Sequence, residues 1–219
     1  MSSIYNEFCR DCPRLAAFID QVKASHPSYF CKPVPPFGSD TARLLVVGLA
    51  PGLHGANATG RPFTGDWCSD LLYGTLHRFG FAKRERSMSR DDDQTLIDCR
   101  LTNAVKCLPP DNKPTPLEIN TCLHYLENEI ALLKPKVIVA LGAVAHQASL
   151  RALSRCLTPS STPIRPSTYK FAHGAEHAID GVVLIDSYHP SRYNTNTGRL
   201  TPAMFDTIFA AARRHVDCL

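Results

Sequence analysis

Short apolar runs alternate along this chain with longer segments whose apolar residues recur at helical spacing. Strands that alternate with helices in this way are typical of a parallel sheet covered by helices on both faces. The pattern predicts strands near residues 43–47, 100–105, 136–140 and 182–185. It predicts helices near residues 13–24, 67–79, 116–133, 143–153 and 201–215. The proline-rich stretch 25–40 and the charged stretch 83–93 are predicted to be surface loops.

Two of these helices begin with a local signal. The sequence Thr115-Pro116-Leu117-Glu118 is a capping box with proline at the first helical position. Asp66 directly precedes the helix near 67–79 and is its predicted N-cap.

Length and composition indicate one folded domain that covers residues 1–219. No Pro/Gly/Ser-rich linker divides the chain, and hydrophobic residues make up 44%, which excludes a disordered protein. The longest apolar run, residues 137–145, is too short to span a bilayer, and the first residues lack a signal-peptide pattern. We therefore expect a cytoplasmic protein with no membrane contact. A net charge of +4 permits nucleic-acid binding through a local patch without requiring it.

Nine cysteines in a cytoplasmic chain favour metal binding over a disulfide framework. Cys9 and Cys12 form a Cys-x-x-Cys pair, and we select Cys107 and Cys122 as the thiolates that complete a four-cysteine site. The spacing alone does not separate zinc from an iron–sulfur cluster. The alternative for Cys122 is a buried core thiol, because it falls on the apolar face of a predicted helix.

Two polar loops follow predicted strands. Residues 48–66 are rich in glycine and other small residues, and residues 187–191 read Ser-Tyr-His-Pro-Ser. Small residues let a ligand approach the backbone closely, and the carboxyl ends of parallel strands form the usual ligand-binding edge of such a sheet. The sequence therefore predicts a site built from several strand ends.

Several motifs occur in a fixed order along nearly the whole chain, from Cys9 to the last helix. They are Gly48-Leu49-Ala50-Pro51-Gly52, the segment Thr-Gly-Arg-Pro-Phe-Thr-Gly-Asp at 59–66, the four cysteines, and His189-Pro190-Ser191 with Asn194, Thr197 and Gly198. Together they resemble the family 5 uracil-DNA glycosylases of the uracil-DNA glycosylase superfamily. The resemblance implies an α/β fold, a three-layer α/β/α sandwich with a central four-stranded parallel sheet.

The resemblance also implies an activity, a cofactor and a partner. The activity is hydrolysis of the N-glycosidic bond of deaminated bases, chiefly uracil, in DNA, which leaves an abasic site as in base excision repair. The cofactor is a [4Fe-4S] cluster held by Cys9, Cys12, Cys107 and Cys122, in preference to zinc. The expected partner is DNA that contains uracil or other deaminated bases. We expect a monomer that associates with the nucleoid through this DNA.

Two residues are candidates for catalysis. Other branches of the superfamily carry Asp, Asn or Glu at the second position of the first motif, where this chain has Leu49. The resemblance transfers the positioning of the attacking water to Asp66, whose carboxylate also offsets positive charge on the sugar. His189 is the candidate hydrogen-bond donor to an oxygen of uracil. The alternative for Asp66 is a helix cap, worth about 1 kcal/mol, and the two roles are compatible.

Other residues are candidates for binding the base. The first motif provides close backbone approach, and Phe63 provides a surface on which the base stacks, the alternative being an ordinary core phenylalanine. Asn103 can read the N3–H and O4 edge of uracil and reject cytosine. Some family 5 members lack this asparagine and act more broadly, for example on hypoxanthine, so its presence predicts a preference for uracil. The candidates are Gly48, Leu49, Ala50, Pro51, Gly52, Phe63, Asn103 and Asn194.

The candidate DNA contacts are five polar or charged residues. In the superfamily, the loop after the motif histidine enters the duplex, which in this chain is the segment Ser191, Arg192 and Tyr193. Arg192 or Tyr193 can fill the gap that the flipped base leaves, because both side chains stack and arginine also pairs with phosphate. Arg61 and Lys106 are the predicted phosphate contacts.

Three alternatives to a uracil glycosylase remain open at this point. The absence of an acidic residue at Leu49 allows a non-catalytic iron–sulfur protein that binds DNA. The four cysteines alone allow an electron-transfer module, although such a carrier does not need Phe63, Asn103 and His189 at strand ends. If the chain is an enzyme, the alternative is a glycosylase that acts mainly on deaminated purines such as hypoxanthine and xanthine.

Overall fold

The computed structural model describes residues 4–156 and 164–218. Its strands are β1 (Phe37–Gly38), β2 (Leu44–Gly48), β3 (Cys99–Asn103), β4 (Val137–Leu141), β5 (Glu176–Ile179) and β6 (Val182–Ser187). Its helices are α1 (Pro13–Ser25), α2 (Ala56–Thr59), α3 (Trp67–Arg78), α4 (Pro116–Leu133), α5 (Ala143–Cys156), α6 (Arg192–Asn196) and α7 (Pro202–Asp217). Short 3-10 helices occur at Pro110–Asn112 and Pro166–Thr168.

The strands form a single sheet in the order β1-β3-β2-β4-β6-β5. The four central strands are parallel to their neighbours, which confirms the predicted parallel sheet. Gly48 at the end of β2 is paired with Asn103 at the end of β3, and Leu141 at the end of β4 with Ser187 at the end of β6. The carboxyl ends of all four strands therefore meet at one edge.

The sheet has six strands rather than the expected four, because an antiparallel strand is added at each edge. β1 pairs with β3 and lies in the stretch 25–40 that the sequence assigns to a loop, whereas β5 pairs with β6. β1 has only two residues, and three of the four residues of β5 are partly or fully exposed. Edge strands this short or this polar lack the apolar run that reveals a buried strand.

Helices cover both faces of the sheet, which confirms the α/β/α sandwich. Alternate residues of β4 point to opposite sides, with Val137 and Val139 in one core and Ile138 and Ala140 in the other. Side chains of α3 and α7 fill the first core, and side chains of α4 and α5 fill the second. Helix α1 packs outside these layers, against the segment that follows β3.

The two predicted helix starts are present. The side chain of Thr115 accepts a hydrogen bond from the backbone N–H of Glu118, and the Glu118 carboxylate accepts one from the backbone N–H of Thr115. The Asp66 side chain accepts a hydrogen bond from the backbone N–H of Cys68 at the start of α3. None of the helices in the described ranges has the length and apolarity needed to cross a bilayer.

A buried ion pair fixes the strand that leads into the site. His146 on α5 places Nδ1 2.7 Å from Oδ1 of Asp186 on β6, and its Nε2 lies 2.9 Å from the carbonyl oxygen of Tyr169. Burial lowers the pKa of His146, but the hydrogen bond to Asp186, the charge of Asp186 and the hydrogen bond to the carbonyl oxygen of Tyr169 together outweigh burial, so the net direction is upward. The other carboxylate oxygen of Asp186 lies 3.1 Å from Nε2 of His177, which attaches β5 to β6.

Candidate active site

A cavity of about 350 Å³ opens at the carboxyl edge of the parallel strands. This volume is in the range of small-molecule sites, roughly 300–1,000 Å³. Its wall comes from the loop after β2, the start of α3, the end of β3, the loop after β3 and the loop after β6. The lining residues are Leu49, Ala50, Gly52, Ala56, Phe63, Asp66, Trp67, Cys68, Asn103, Asn112, His189, Ser191 and Arg192.

Asp66 caps helix α3 and also lines this cavity. Its Oδ1 accepts the hydrogen bond from Cys68 at 3.1 Å, while Oδ2 lies against the backbone of the preceding loop. A Cβ atom on Gly55 would be 2.3 Å from Oδ2, so the absence of a side chain there makes room for the carboxylate. Burial raises the pKa of Asp66, and backbone N–H groups at the helix start partly offset this effect. Asp66 therefore meets the geometric requirements of both of its predicted roles.

His189 reaches the cavity from the loop that follows β6. Within the described part of the chain, its ring makes no hydrogen bond, so both ring nitrogens are free for a ligand. Burial lowers the pKa of His189 to about 4, which keeps the imidazole neutral at physiological pH. Its carbonyl oxygen accepts a hydrogen bond from Nδ2 of Asn194 at 2.9 Å. Asn194 thus holds the histidine in place and does not itself line the cavity.

Asn103 and Phe63 lie side by side at the inner end of the cavity. A Cβ atom on Gly48 would lie 2.4 Å from both Oδ1 of Asn103 and Cζ of Phe63, so only glycine fits between them. Phe63 is 6% exposed and has a φ of 53°, a left-handed conformation that is strained for a residue with a large side chain. The amide of Asn103 has no hydrogen-bond partner among residues 4–156 and 164–218. An aromatic ring and a free amide therefore face the same space.

The first motif is fixed to the end of β3 by its backbone. The carbonyl oxygens of Gly48 and Leu49 accept hydrogen bonds from the backbone N–H groups of Ala104 and Val105. Leu49, Ala50 and Gly52 line the cavity, whereas Pro51 is buried outside its lining. No acidic side chain enters the cavity from this motif.

Helix α6 presents three of the predicted DNA contacts. Ser191 caps this helix by accepting a hydrogen bond from the backbone N–H of Asn194 at 3.3 Å, and it also lines the cavity. Arg192 is exposed and lines the cavity mouth. Tyr193 is 71% exposed and does not line the cavity. Arg192 and Tyr193 are therefore both accessible to solvent beside the cavity.

The structure corrects the prediction that Arg61 contacts phosphate. Arg61 is only 6% exposed and forms an ion pair with Asp92. Its guanidinium also donates to the hydroxyl of Ser87 at 2.9 Å and to the carbonyl oxygen of Arg90 at 2.6 Å, and it lies over the ring of Phe37. Arg61 therefore attaches the loop 83–93 to the site loop instead of facing solvent.

Lys106 is the second correction. It is 1% exposed, and its Nζ lies 2.5 Å from Oε1 of Glu129 on α4 and also bonds the hydroxyl of Thr102 on β3. A buried lysine that is paired with a buried carboxylate cannot reach a phosphate on DNA. Lys106 links β3 to α4 inside the protein.

The four selected cysteines lie together around a second, small cavity, next to the side chains of Leu15 and Val105. Cys9, Cys12, Cys107 and Cys122 are all free thiols. Burial raises the pKa of Cys12 to about 11 and also raises the pKa values of Cys107 and Cys122, and neighbouring thiols add to the effect. Four such groups are costly to ionise next to one another unless a cation binds them.

The spacing of these sulfurs and the position of their cavity are informative. Among the described residues, no three of the four sulfurs lie within 4.8 Å of one another. This is wider than a closed zinc site, where Zn–S bonds of about 2.3 Å in a tetrahedron place the sulfurs about 3.8 Å apart. Ala50 packs against the cluster of Leu15, Val105, Cys122 and Tyr125 and also lines the larger cavity, so the two cavities are neighbours.

Sequence reasoning missed four residues that line the larger cavity. Ala56 precedes Asp66 in the site loop, and Trp67 and Cys68 follow Asp66 at the start of α3. Helical spacing indicates only that Trp67 belongs to the helix, and it does not indicate a cavity. Asn112 belongs to the segment after Cys107 and has a positive φ of 55°. A polar residue in a left-handed conformation can be expected in a turn, but its direction toward a cavity depends on the tertiary structure.

Comparison with known proteins agrees with this geometry. The sequence model of the uracil DNA glycosylase superfamily matches residues 35–213. The chain is 43% identical to a type-5 uracil-DNA glycosylase of Thermus thermophilus over 94% of this chain and 93% of the relative. It is 44% identical to the type-5 enzyme of Mycobacterium leprae, over 94% and 90% of the two chains, and 39% identical to that of Pyrobaculum aerophilum, over 96% and 90%. The chain therefore belongs to the uracil DNA glycosylase superfamily and, within it, to the type-5 uracil-DNA glycosylases.

Proposed function

We propose that this chain removes uracil from DNA by hydrolysing the N-glycosidic bond, which leaves an abasic site. The observation that carries the proposal is that Asp66, His189, Asn103 and Phe63 face one cavity at the carboxyl edge of the sheet. Relatives that match nearly the whole chain are named as type-5 uracil-DNA glycosylases. A carboxylate, a neutral imidazole, an amide and an aromatic ring are the groups that this reaction needs.

Recognition of the base falls to Asn103 and Phe63. The free amide of Asn103 offers an acceptor for N3–H of uracil and a donor for O4. Cytosine presents the opposite pattern on this edge, so an amide held in the orientation that fits uracil would leave polar groups unpaired with cytosine, which costs about 1–3 kcal/mol per group. The ring of Phe63 provides the stacking surface, and its strained backbone is a conformation typical of functional sites.

Asp66 and His189 act on the two ends of the bond that breaks. The Asp66 carboxylate orients a water whose oxygen forms the new bond to C1′ of the deoxyribose, and its negative charge stabilises the cationic sugar. The electron pair of the C1′–N1 bond leaves with uracil. The neutral imidazole of His189 donates a hydrogen bond to the oxygen on which the negative charge of uracil collects. The attacking water loses one proton and the departing uracil anion gains one. The products are therefore the abasic sugar and neutral uracil.

The reaction requires the nucleotide to leave the base stack. Extrusion costs a few kcal/mol and is least costly for mispaired or single-stranded bases. Ser191 and Arg192 line the cavity, and the exposed Tyr193 follows them on α6, so a duplex that reaches the cavity would meet this segment. We propose these three as the DNA contacts of this chain.

We also propose that Cys9, Cys12, Cys107 and Cys122 hold a [4Fe-4S] cluster as thiolates. Support comes from their shared cavity and from their sulfur spacing, which is wider than that of a closed zinc site. The other five cysteines do not line this cavity. Such a cluster would connect α1 to α4 and to the segment after β3, next to the wall formed by Ala50.

Hypoxanthine is the second candidate substrate. It presents an N–H group and a carbonyl oxygen side by side, as uracil does, so the Asn103 amide can accept and donate to it in the same way. The cavity volume of about 350 Å³ has room for a purine as well as for a pyrimidine. The two substrates are distinguished by the rates of base release from matched oligonucleotides.

The proposed function is tested by comparing the wild-type protein with Asp66→Asn on a duplex that contains one uracil. We expect both proteins to bind the duplex, and only the wild type to release free uracil and leave an alkali-labile site. Asp70→Asn is the matched control, because Asp70 lies on the same helix with its side chain 71% exposed. If the wild type binds the duplex but releases no uracil, the chain is a DNA-binding protein without this activity.

A further inference from the structure

Trp67, the only tryptophan of the chain, lies at the cavity mouth and not in the core. It is the first residue of α3, directly after Asp66, and 53% of its surface is exposed. Tryptophan is enriched at interaction surfaces, where its ring packs against a partner while its N–H group finds a hydrogen bond. Neither the fold nor the four groups inside the cavity explain its position.

Two contacts hold the indole of Trp67 against α6. Its Nε1–H donates a hydrogen bond to Oγ1 of Thr195 at 2.9 Å, and the guanidinium of Arg192 lies 5.5 Å from the ring centroid. The hydrogen bond fixes the orientation of the ring relative to α6. The ring face attracts the cation, since the π electrons place negative potential there.

The indole is the main feature that orders the guanidinium of Arg192. No carboxylate of the described residues lies within ion-pair distance of Arg192, and the side chain is exposed. A long arginine side chain without such a contact would sample many rotamers, and ordering it on binding costs entropy. A guanidinium that is already held at the cavity mouth avoids much of this cost.

We propose that Trp67 is a positioning residue that holds Arg192 at the cavity mouth, so that the guanidinium enters the space that the flipped nucleotide leaves in the duplex. The inference rests on the proposed function, because this space arises only when a nucleotide is extruded. A planar guanidinium fits between stacked bases and also pairs with phosphate. Single-stranded DNA has no such space, so the contribution of Trp67 is specific to the duplex.

The test compares kcat/KM for one uracil in a duplex and in the single strand of the same sequence. Trp67→Ala is expected to lower the duplex-to-single-strand ratio about fivefold, the size of an exposed cation–π contact. Trp67→Phe keeps an aromatic face and is expected to retain most of the ratio. Ile97→Ala is the matched control, because Ile97 is also 53% exposed but lies outside the cavity, and it should leave the ratio unchanged.

A double-mutant cycle separates positioning from a general structural role. If Trp67 acts through Arg192, the Trp67→Ala/Arg192→Ala variant has the same ratio as Arg192→Ala alone. Additive effects, or an equal fall on both substrates, would overturn the proposal. A wild-type protein that releases no uracil from either substrate would instead overturn the proposed function.

Tryptophan fluorescence gives a readout that does not depend on activity. Because Trp67 is the only tryptophan, the emission of Asp66→Asn reports the cavity mouth alone. A saturating uracil duplex is expected to shift this emission to shorter wavelengths as the duplex removes water from the indole, and a uracil-free duplex to shift it less. An unchanged spectrum at saturation would contradict the placement of Trp67 against the duplex.

Discussion

At the scale of single residues, the site depends on side chains whose roles are set by what surrounds them. Asp66 was predictable as a helix cap from helical spacing and as a catalytic group from the family motif, and its position at a helix start that lines the cavity is compatible with both. Arg61 and Lys106 were mispredicted because a basic residue carries no local sign of whether it points inward. Their partners, Asp92 and Glu129, are 31 and 23 residues away in sequence.

Asp66→Asn is expected to reduce uracil release by about 10²–10⁴-fold, the range of a positioned acid–base group, while the helix cap remains. It should also raise the melting temperature at pH 7.5. Burial raises the pKa of Asp66 above its value in the unfolded chain. At a pH above this pKa, the folded wild type must therefore bury a negative charge, which lowers its stability. Asparagine carries no charge, so the variant does not have this cost. Single-turnover base release and thermal unfolding measure the two effects. A variant that keeps the wild-type rate of uracil release would indicate that Asp66 is a helix cap alone, because asparagine caps a helix as well as aspartate does.

His189 predicts a pH dependence of stability with a defined sign. Its pKa is about 4 in the folded protein and about 6.5 when unfolded, so between these values only the unfolded chain binds the proton. Stability should therefore fall as the pH falls from 6.5 to 4, by as much as about 3 kcal/mol. His189→Gln should lose less stability than the wild type over this window, as measured by denaturant unfolding at each pH. If the free energy of unfolding depends on pH in the same way for the two proteins, the ring of His189 is exposed to solvent.

At the scale of elements, helices and central strands were predictable because their signals are local or periodic. The capping box starts α4 at Pro116, and the apolar runs identify the four parallel strands. The edge strands β1 and β5 were not predictable, because they lack an apolar pattern in the sequence. They are strands because they pair with β3 and β6, which only the tertiary structure shows. The convergence of four strand ends follows from parallel topology, whereas the inward direction of Asn112 depends on a loop conformation that sequence does not specify.

The link between β3 and α4 can be tested with Lys106→Met. Removing the lysine leaves Glu129, which is 0% exposed, with only Arg100 at 3.5 Å as a charged partner. We expect a loss of about 3 kcal/mol in the free energy of unfolding. Lys106→Met/Glu129→Met should recover part of this loss.

DNA affinity distinguishes this role of Lys106 from the phosphate contact that the sequence predicted. The slope of log K against log salt should be the same for Lys106→Met and the wild type. If the slope for Lys106→Met is smaller by about one, Lys106 contacts a phosphate as the sequence predicted.

At the scale of the whole molecule, the sheet brings two sites together at one edge. Ala50 lines the larger cavity and packs against the apolar cluster beside the cysteine cavity, and both cavities depend on the segment after β3. Sequence could select the four cysteines that line one cavity, and the [4Fe-4S] cluster stays a prediction from the resemblance. It could not place the cysteine cavity beside the catalytic one, because that depends on how α1 packs outside the layers of the sandwich.

The cluster proposal predicts about four iron atoms and four sulfides per chain in protein purified without oxygen, with visible absorption. Cys122→Ser should lose the iron. Cys99→Ala should retain it, since Cys99 is also buried but lies on the sheet, away from the cysteine cavity. One zinc per chain and a colourless protein would contradict the cluster.

The most direct test of the account is single-turnover base release from duplexes that contain one uracil, one hypoxanthine or neither at the same position. The cavity described here predicts free uracil as the main product, with slower release of hypoxanthine and none from the undamaged duplex. Asn103→Ala should lower the release of both bases, because the amide accepts from the N–H group and donates to the carbonyl oxygen of each. Faster release of hypoxanthine, or no release of either base by the wild type, would contradict the assignment of this cavity to uracil.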